Sequence, residues 1–286
     1  MKNKKSKSYL LALLPFVIVI FFFEIIPLMM IVIRSFMPLG EIGFTVEHYF
    51  SIFSKRLYQQ AVINSLIVAL VSAFVGIFIA FFGAKAANST SSRAKTFFMS
   101  VLNMTSNFAG IPLAFAYIIM FGNVGVFVMI GKQMGFTSLA NLDLYTVWGL
   151  TLTYIYFQIP LATLLLIPAF EGIRKEWGEA VSLLGGNRIQ FWIRVGIPVL
   201  LPSLFGTLSV LFANAIAAYA TAYALLQNNF SLIPIRISEQ FVGDVVQRRE
   251  FGSALAVVLM LLMVLAVTMN NRMLKWAKGE GFYDKK

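Results

Sequence analysis

The chain contains no cysteine and a single histidine, His48, among its 286 residues. Without cysteine it has no disulfide framework, no thiolate metal site and no cysteine nucleophile. One imidazole cannot make a ligand set, and the 12 acidic residues are scattered, with no spacing typical of a catalytic triad or a metal site. We therefore predict no catalytic residue, no metal site and no cofactor.

Charged residues are also scarce, at 12% of the chain, whereas 59% are hydrophobic. No soluble core could bury that much apolar sequence, so the composition is typical of a protein in a lipid bilayer. Six apolar runs are long enough to cross roughly 30 Å of hydrocarbon, which takes about 20 helical residues. They lie near residues 9–33, 61–83, 97–121, 145–170, 199–226 and 251–270. None shows the alternation of barrel strands, so the predicted fold class is all-α, with six transmembrane helices.

The first apolar run follows a cluster of lysines, an arrangement also found in cleaved signal peptides. No small-x-small cleavage site follows the run, which is long and ends at Arg34. We therefore predict that residues 9–33 form the first spanning helix and that residues 1–286 form a single transmembrane domain.

The distribution of lysine and arginine predicts how the chain crosses the membrane, because cytoplasmic loops retain positive charge. If the N-terminus is inside, the inner segments hold more than twice as many of the 23 basic residues as the outer segments. Both termini are therefore predicted to be cytoplasmic. The same asymmetry accounts for much of the net charge of +11, so no nucleic acid partner is predicted.

A polar segment at residues 171–198, between the fourth and fifth runs, carries the most distinctive pattern in the chain. The pattern is Glu179-Ala180-Val181, three residues, Gly185, nine residues and Val195-Gly196-Ile197-Pro198. In every interval it resembles the signature loop of ABC-importer permeases. Two positions differ conservatively, since the family usually has Ala at the place of Val181 and Ile at the place of Val195. The charge distribution independently predicts that this loop is cytoplasmic.

The periodicity of the same segment predicts its local structure. Trp177, Ala180, Val181 and Leu184 lie at i, i+3, i+4 and i+7, which places them on one face of a short helix. Gly185-Gly186 permits a tight turn after that helix, so helix, turn and helix are expected. Taken without the signature, the segment could also be an amphipathic helix that lies on the membrane surface.

The resemblance to ABC-importer permeases implies a type I importer fold, with residues 61–270 as a core of five helices and 171–198 as a cytoplasmic coupling loop. In that family the loop inserts into a groove of the ATP-binding subunit and its glutamate reaches a basic partner, a role that the resemblance assigns to Glu179. It also implies two ATP-binding subunits, a second permease subunit, homologous or identical, and an extracytoplasmic substrate-binding protein. The expected location is the plasma or inner membrane of a prokaryotic cell.

The chain has no visible means of hydrolysing ATP. The segment from Gly125 to Lys132 only faintly resembles a phosphate-binding loop, because the interval from Gly125 to Gly131 is one residue too long and Gln133 replaces Ser or Thr. The chain is therefore predicted to be a transport subunit rather than an enzyme, with ATP hydrolysis in a separate partner.

Polar side chains inside the apolar runs are costly in lipid and are candidates for a substrate pathway. The candidates are Asn107 in the third run, Tyr154 and Gln158 in the fourth, and Asn214 and Tyr219 in the fifth. The alternative is that they hydrogen-bond across helices and hold them together, and the sequence leaves both interpretations open. The sixth run has no polar side chain between residues 255 and 267, so we expect it to face lipid.

Glu24 is the only carboxylate inside an apolar run, so it is a further candidate for the pathway. A buried carboxylate there would attract a cationic substrate such as a polyamine. Glu24 could equally lie near the outer headgroups, pair with a neighbouring subunit or be protonated, and these alternatives stay open.

The substrate is the least defined part of the prediction. Short matches at Ile233-Pro234 and residues 249–254 resemble the polyamine, iron and phosphonate branch of the family. A polyamine such as spermidine or putrescine is the first candidate, with phosphonate, iron or another small solute as alternatives. An ion-coupled secondary transporter is a competing class, although it should show internal repeats and intramembrane charges. A non-transporting membrane scaffold is another.

Overall fold

Long helices joined by short ones make up the structure, a computed structural model that describes residues 13–41, 43–226, 231–242 and 247–277. None of these residues lies in a strand, so the all-α prediction is confirmed. In chain order the helices are α1 (Leu13–Arg34), α2 (Glu47–Ser54), α3 (Arg56–Asn88), α4 (Ser92–Asn107), α5 (Ile111–Phe121), α6 (Val126–Met134), α7 (Thr137–Ala140), α8 (Val147–Glu171), α9 (Lys175–Leu183), α10 (Arg188–Ala217), α11 (Ala220–Leu226), α12 (Ile233–Val242) and α13 (Arg249–Ala277).

Six helical stretches within the described residues are long and apolar enough to cross a membrane. Five of them, α1, α3, α8, α10 and α13, lie where the sequence predicts. The third is Ile111–Met134, formed by α5 and α6, rather than residues 97–121. The predicted run 97–121 is divided, because the chain breaks after Asn107 and leaves α4 as a separate helix of 16 residues.

The break between α4 and α5 has a local cause. Gly110 has φ +73° and ψ −142°, a conformation that side-chain-bearing residues resist. Pro112 follows in the first turn of α5, where its missing N–H leaves no gap in the helix. A glycine and a proline two residues apart therefore end one helix and begin the next.

Despite this break, α4 and α5 together follow α8. Lys95 of α4 pairs with Glu171 at the last turn of α8. Further along, the rings of Tyr117 on α5 and Tyr156 on α8 lie 5.8 Å apart, edge to face. The two helices thus run antiparallel to a spanning helix, and the polar helix α4 lies at membrane depth.

The fifth predicted run, 199–226, is also interrupted, by Ala218 and Tyr219 between α10 and α11. The N–H of Gly110 donates to Thr221 Oγ1 at 3.0 Å, and that hydroxyl donates to the Gly110 carbonyl at 3.3 Å. The carbonyl of Ala218 accepts a hydrogen bond from Tyr154 Oη at 2.6 Å. The two interruptions therefore meet, and side chains satisfy backbone groups for which lipid offers no partner.

The centre of the bundle is the contact between α3 and α8. One face of α3 consists of small buried residues, namely Ala69, Ser72, Ala73, Gly76 and Ala80. A Cβ on Gly76 would lie 2.9 Å from the Cβ of Gln158, and one on Gly83 would lie 3.3 Å from Thr163. Small residues of this kind let transmembrane helices approach closely. α10 packs against both helices, and α13 packs against α10.

α13 is only partly a lipid-facing helix. Leu255 and Val258 are buried in a cluster with Ile52 of α2 and Tyr58 of α3, whereas Leu261 and the apolar residues beyond it are largely exposed. Even there Leu262, Met263 and Ala266 are half-buried against the core. The expectation that residues 255–267 face lipid is therefore wrong for the first turns and holds for only one side of α13 after them. Core and lipid-facing positions are equally apolar, so the lack of polar residues could not separate them.

Candidate functional site

The segment between α8 and α10 forms the helix, turn and helix that its periodicity predicts. After α9 ends, Gly185 has φ +75°, the left-handed conformation that glycine adopts without steric cost. The Gly186 N–H donates to the Val181 carbonyl at 2.9 Å, and the Gly185 N–H donates to the Ser182 carbonyl at 3.0 Å. These are the two bonds of a Schellman motif, which satisfies the last carbonyls of a helix.

Gly186 must be glycine for lack of space, whereas Gly185 must be glycine for its backbone conformation. A Cβ on Gly186 would lie 2.6 Å from Val181 Cγ1, whereas a Cβ on Gly185 would have nothing within 4 Å. Asn187 and Gln190 then form a capping box, in which each side chain accepts the backbone N–H of the other at 2.8 Å. Local bonds fix both ends of the turn, so α9 and α10 are joined at a defined angle.

Trp192 attaches this loop to the bundle. Its ring lies 6.0 Å from that of Phe81 on α3 and 6.2 Å from that of Phe170 on α8. Lys85 Nζ lies 4.2 Å from the centre of the indole, a cation–π contact. A Cβ on Gly196 would lie 2.6 Å from the indole ring, so the glycine of the Val-Gly-Ile-Pro sequence makes room for Trp192.

The end of the signature coincides with a π-helical turn, Trp192–Gly196, within α10. The Ile197 N–H donates to the Trp192 carbonyl five residues earlier, and Pro198, the next residue, has no N–H to donate. Single π turns inside α-helices are frequent at functional sites. Here the turn lies at the junction between the loop and the spanning part of α10.

The outer surface of the loop is apolar and exposed. Leu183 is 89% exposed and Leu184 88%, and Ile189 is also exposed. Glu179 and Ala180 are exposed beside them, whereas Trp177 and Val181 are half-buried. The predicted apolar face is therefore divided between the two sides of α9. An exposed apolar surface that surrounds a carboxylate suits a protein partner better than water.

A cleft of about 560 Å³ separates α9 from the ends of α3 and α8. Lys85, Arg174, Lys175 and Arg188 line it, together with Asn88 and the Trp192 ring. α9 therefore projects from the bundle and is held through the turn and the Trp192 cluster.

Comparison with known proteins identifies the kind of molecule to which this loop and bundle correspond. No protein-family model matches the chain. The inner membrane ABC transporter permease protein YcjP of Escherichia coli is 27% identical over 78% of this chain and 75% of its own length. The spermidine/putrescine transport system permease protein PotB of Haemophilus influenzae is 26% identical over 86% of this chain and 87% of its own. The homologues of this chain are ABC transporter permeases.

The fold is that of a type I ABC importer permease. A solved bacterial ABC transporter involved in the import of the acidic polysaccharide alginate contains a chain that matches with a TM-score of 0.74 and 17% identity, over 96% of this chain and 97% of the other. The matched permeases and structures span polyamine, sugar, sulfate, iron and alginate importers. They therefore do not single out a substrate.

Two of the predicted pathway residues, Tyr154 and Gln158, are buried in the bundle. Gln158 is 0% exposed, and its Nε2 donates to the Leu211 carbonyl at 2.7 Å. Tyr154 donates to the Ala218 carbonyl, as described above. Both side chains connect α8 to the chain segment around the end of α10. These contacts favour the helix-packing interpretation that the sequence left open.

The other pathway candidates lie nearer the surface. Asn107 and Asn214 are exposed, and the hydrogen bonds between Gly110 and Thr221 bring the end of α4 against the start of α11. Tyr219 is half-buried, stacks on Tyr223 with ring centres 5.1 Å apart, and accepts a hydrogen bond from Ser238.

Glu24 lies at the edge of the permease. It is exposed within a π-helical turn of α1, Phe21–Ile25, and α1 packs against α13. In the part of the chain that the structure describes, no basic side chain pairs with it.

Sequence reasoning did not predict the structural roles of Trp192 and Thr221. A tryptophan four residues before a glycine at the start of a helix was the available signal for Trp192. Thr221 is visible as a polar residue inside the fifth apolar run, but its bond to Gly110 depends on a break in a different helix.

Proposed function

We propose that this chain is the transmembrane permease subunit of an ATP-driven importer in a prokaryotic cell membrane. Its partners are two copies of a separate ATP-binding subunit, a second permease, homologous or identical, and an extracytoplasmic binding protein. Both termini and the α9 loop are cytoplasmic in this proposal. The observation that carries it is the exposed apolar surface of α9 around Glu179, on a loop that projects from the bundle.

The coupling role of the loop is supported by its connections. α9 is joined to α10 by a turn that local hydrogen bonds fix on both sides. The first turns of α10 carry Trp192, whose ring contacts α3 and α8. A displacement of α9 by an ATP-binding subunit would therefore reach three spanning helices without passing through a flexible segment. In this mechanism Glu179 binds a basic group of the ATPase, Ala180 allows close approach, and Val181, Gly185 and Pro198 shape the loop.

The proposed division of the chain follows the same contacts. Residues 61–270 contain α8 and α10, which surround the small-residue face of α3, and form the core. The predicted first helix, residues 9–33, is an accessory helix; its first four residues lie outside the described part of the chain, and the peripheral position of α1 against α13 supports this role. Residues 171–198 form the coupling loop.

The solute pathway in this proposal runs along the exposed polar residues Asn107 and Asn214, near the meeting point of the two broken helices. Tyr219 lies close to that point along the chain. Tyr154 and Gln158 do not line the pathway in this proposal; their hydrogen bonds hold α8 against the end of α10. The solute that the sequence suggests first is a polyamine, and the likeness to a spermidine/putrescine permease supports it. Iron and phosphonate are the alternative solutes.

The test is purification of the tagged chain from its host membrane, followed by an ATPase assay of the complex and ATP-dependent uptake in proteoliposomes. Glu179→Lys should abolish the association with the ATPase and the uptake while membrane insertion persists. Glu176→Lys, an equal charge change on the exposed surface of the same helix, is the matched control. Gly185→Arg should act as Glu179→Lys does. Uptake driven by an ion gradient without ATP would instead support a secondary transporter.

A further inference from the structure

The surface of α4 is divided lengthwise into two exposed stripes. Thr96, Ser100, Asn103 and Asn107 recur at intervals of four, three and four residues, which places them within one narrow arc of the helix. Beside them lies an apolar stripe of Phe97, Val101 and Met104. The third side of α4, which includes Leu102, packs against the bundle. The apolar stripe suits lipid, whereas the polar stripe does not.

The polar stripe reaches the middle of the membrane. Asn107 lies about 18 Å of helical rise beyond Lys95, whose pair with Glu171 marks the loop end of α8. Since the hydrocarbon core is about 30 Å thick, Asn107 is close to its centre. Asn103 and Asn107 each donate one N–H to a carbonyl of their own helix. Among the described residues, each amide retains a second N–H and an oxygen, which are costly to expose to lipid.

The polar surface continues past the helix break. Thr221 binds the backbone of Gly110, three residues after Asn107. Exposed Asn214 and Tyr223 lie within about two helical turns of Thr221 along the chain. The groups available at this junction are therefore amides, hydroxyls and an aromatic face.

This surface carries no charge. The described residues of α4 beyond Lys95, and those of α5, α10 after Arg194 and α11, include no Asp, Glu, Lys or Arg. Glu24 lies on α1, and three helices stand between α1 and α4. α4 contacts α8, α8 contacts α10, α10 contacts α13, and α13 contacts α1. A polyamine that left water at mid-membrane depth would find no carboxylate on the described residues of α4, α5, α10 and α11. Glu239 of α12, which follows the Ser238 that donates to Tyr219, is already paired with Arg236. Buried charges require such partners.

We infer that the permease carries an uncharged, polyhydroxylated solute of the sugar or oligosaccharide class, and that Asn103, Asn107 and Asn214 are its polar contacts. The inference rests on the proposed function and opposes the polyamine candidate. An amide donates and accepts at once, as a sugar hydroxyl does, so each can replace a water that the solute loses. The stripe offers such groups at successive positions across the membrane. A solute can therefore pass from one to the next without being bound tightly at any of them.

The absence of cysteine makes the surface directly testable, because an introduced cysteine is the only one in the permease. Asn107→Cys and Asn214→Cys are made in the assembled importer in proteoliposomes and exposed to a membrane-impermeant methanethiosulfonate. Met104→Cys, on the apolar stripe of the same helix, is the matched control. Asn107→Cys and Asn214→Cys should be labelled and Met104→Cys should not. Protection of Asn107→Cys by a second permease, or equal labelling at Met104→Cys, would overturn the assignment of this surface.

The solute class is decided by protection from labelling. A millimolar mixture of neutral arabino-, malto- and xylo-oligosaccharides should slow modification of Asn107→Cys severalfold, and spermidine should leave it unchanged. Protection by spermidine, or by neither probe, overturns the inference. Neither result alters whether an ATPase co-purifies with the chain, so the proposed function stands or fails separately. If Asn107→Cys does not assemble, Asn103→Cys, one turn earlier on the stripe, takes its place.

Discussion

Thr221 and Gly110, on two different interrupted helices, are joined by a pair of hydrogen bonds between one hydroxyl and both backbone groups of the glycine. Thr221 is 3% exposed, so water cannot readily replace it. One hydroxyl thereby satisfies the N–H that the break between α4 and α5 would otherwise leave without a partner, and it also donates to the Gly110 carbonyl, which accepts the Ala114 N–H as well. The two interruptions depend on each other.

Replacement of Thr221 by valine should therefore destabilise the permease. The change keeps the shape of the side chain but leaves the Gly110 N–H without its partner, at a cost of about 1–3 kcal/mol, whereas the Gly110 carbonyl still accepts the Ala114 N–H at 3.2 Å. Thermal unfolding in detergent, followed by the loss of soluble monodisperse protein, measures the effect. Thr221→Ser retains the hydroxyl and should unfold close to the wild type. Equal loss in both variants would show that the methyl group, not the hydroxyl, matters.

A second prediction separates the two glycines of the turn. Gly186→Ala should distort the loop, because its Cβ would lie 2.6 Å from Val181 Cγ1. Val181→Ala removes that atom, so the double variant should recover part of the lost ATPase association and uptake. The recovery should be incomplete, since the Val181 carbonyl would still lie 3.0 Å from the new Cβ.

Gly185→Ala provides the comparison for that experiment. The new side chain meets no neighbour, but it must adopt a left-handed conformation that costs roughly 1–2 kcal/mol. Val181→Ala should not rescue Gly185→Ala. Rescue of both glycine variants by the same change would contradict the distinct roles assigned to them.

The sequence predicted the spans and the helix, turn and helix of residues 171–198 well because both depend on local patterns. Apolar runs of sufficient length located five of the six spans, and the periodicity around Trp177 located α9. The positions of the helix breaks were harder to predict. Gly110 and Pro112 are a local signal for the first, but the break at Ala218 has none, and its carbonyl is satisfied by Tyr154 from another helix.

The sequence could not predict which polar residues are buried in the core and which are exposed, because this too depends on contacts between different helices. Gln158 and Asn107 are both amides within apolar runs, yet one is buried against α10 and the other is exposed. Which of them faces inward depends on the neighbour that packs on each helix, and a single helix pattern does not contain that information.

The burial of Gln158 leads to a third prediction. Gln158→Met should retain transport, because the side chain lies between helices and its Oε1 has no hydrogen-bond partner among the described residues. Loss of the bond to Leu211 costs about 1 kcal/mol, and removal of the unpaired oxygen offsets it. The control is Asn107→Met on the exposed stripe, which should reduce uptake. A severe transport defect in Gln158→Met with normal thermal stability would restore Gln158 to the pathway.

Glu24 supplies the last prediction, which bears on the charge of the solute. The carboxylate lies on α1, at the edge of the bundle and away from α4, so Glu24→Gln should leave the rate and the substrate concentration dependence of uptake unchanged. The amide keeps the size and shape of the side chain, removes its negative charge and replaces one acceptor oxygen with an NH2 donor. Uptake is measured in proteoliposomes that contain equal amounts of each complex. If Glu24→Gln raises the KM for spermidine while leaving assembly intact, the carboxylate is a cation ligand, and the solute is a polyamine.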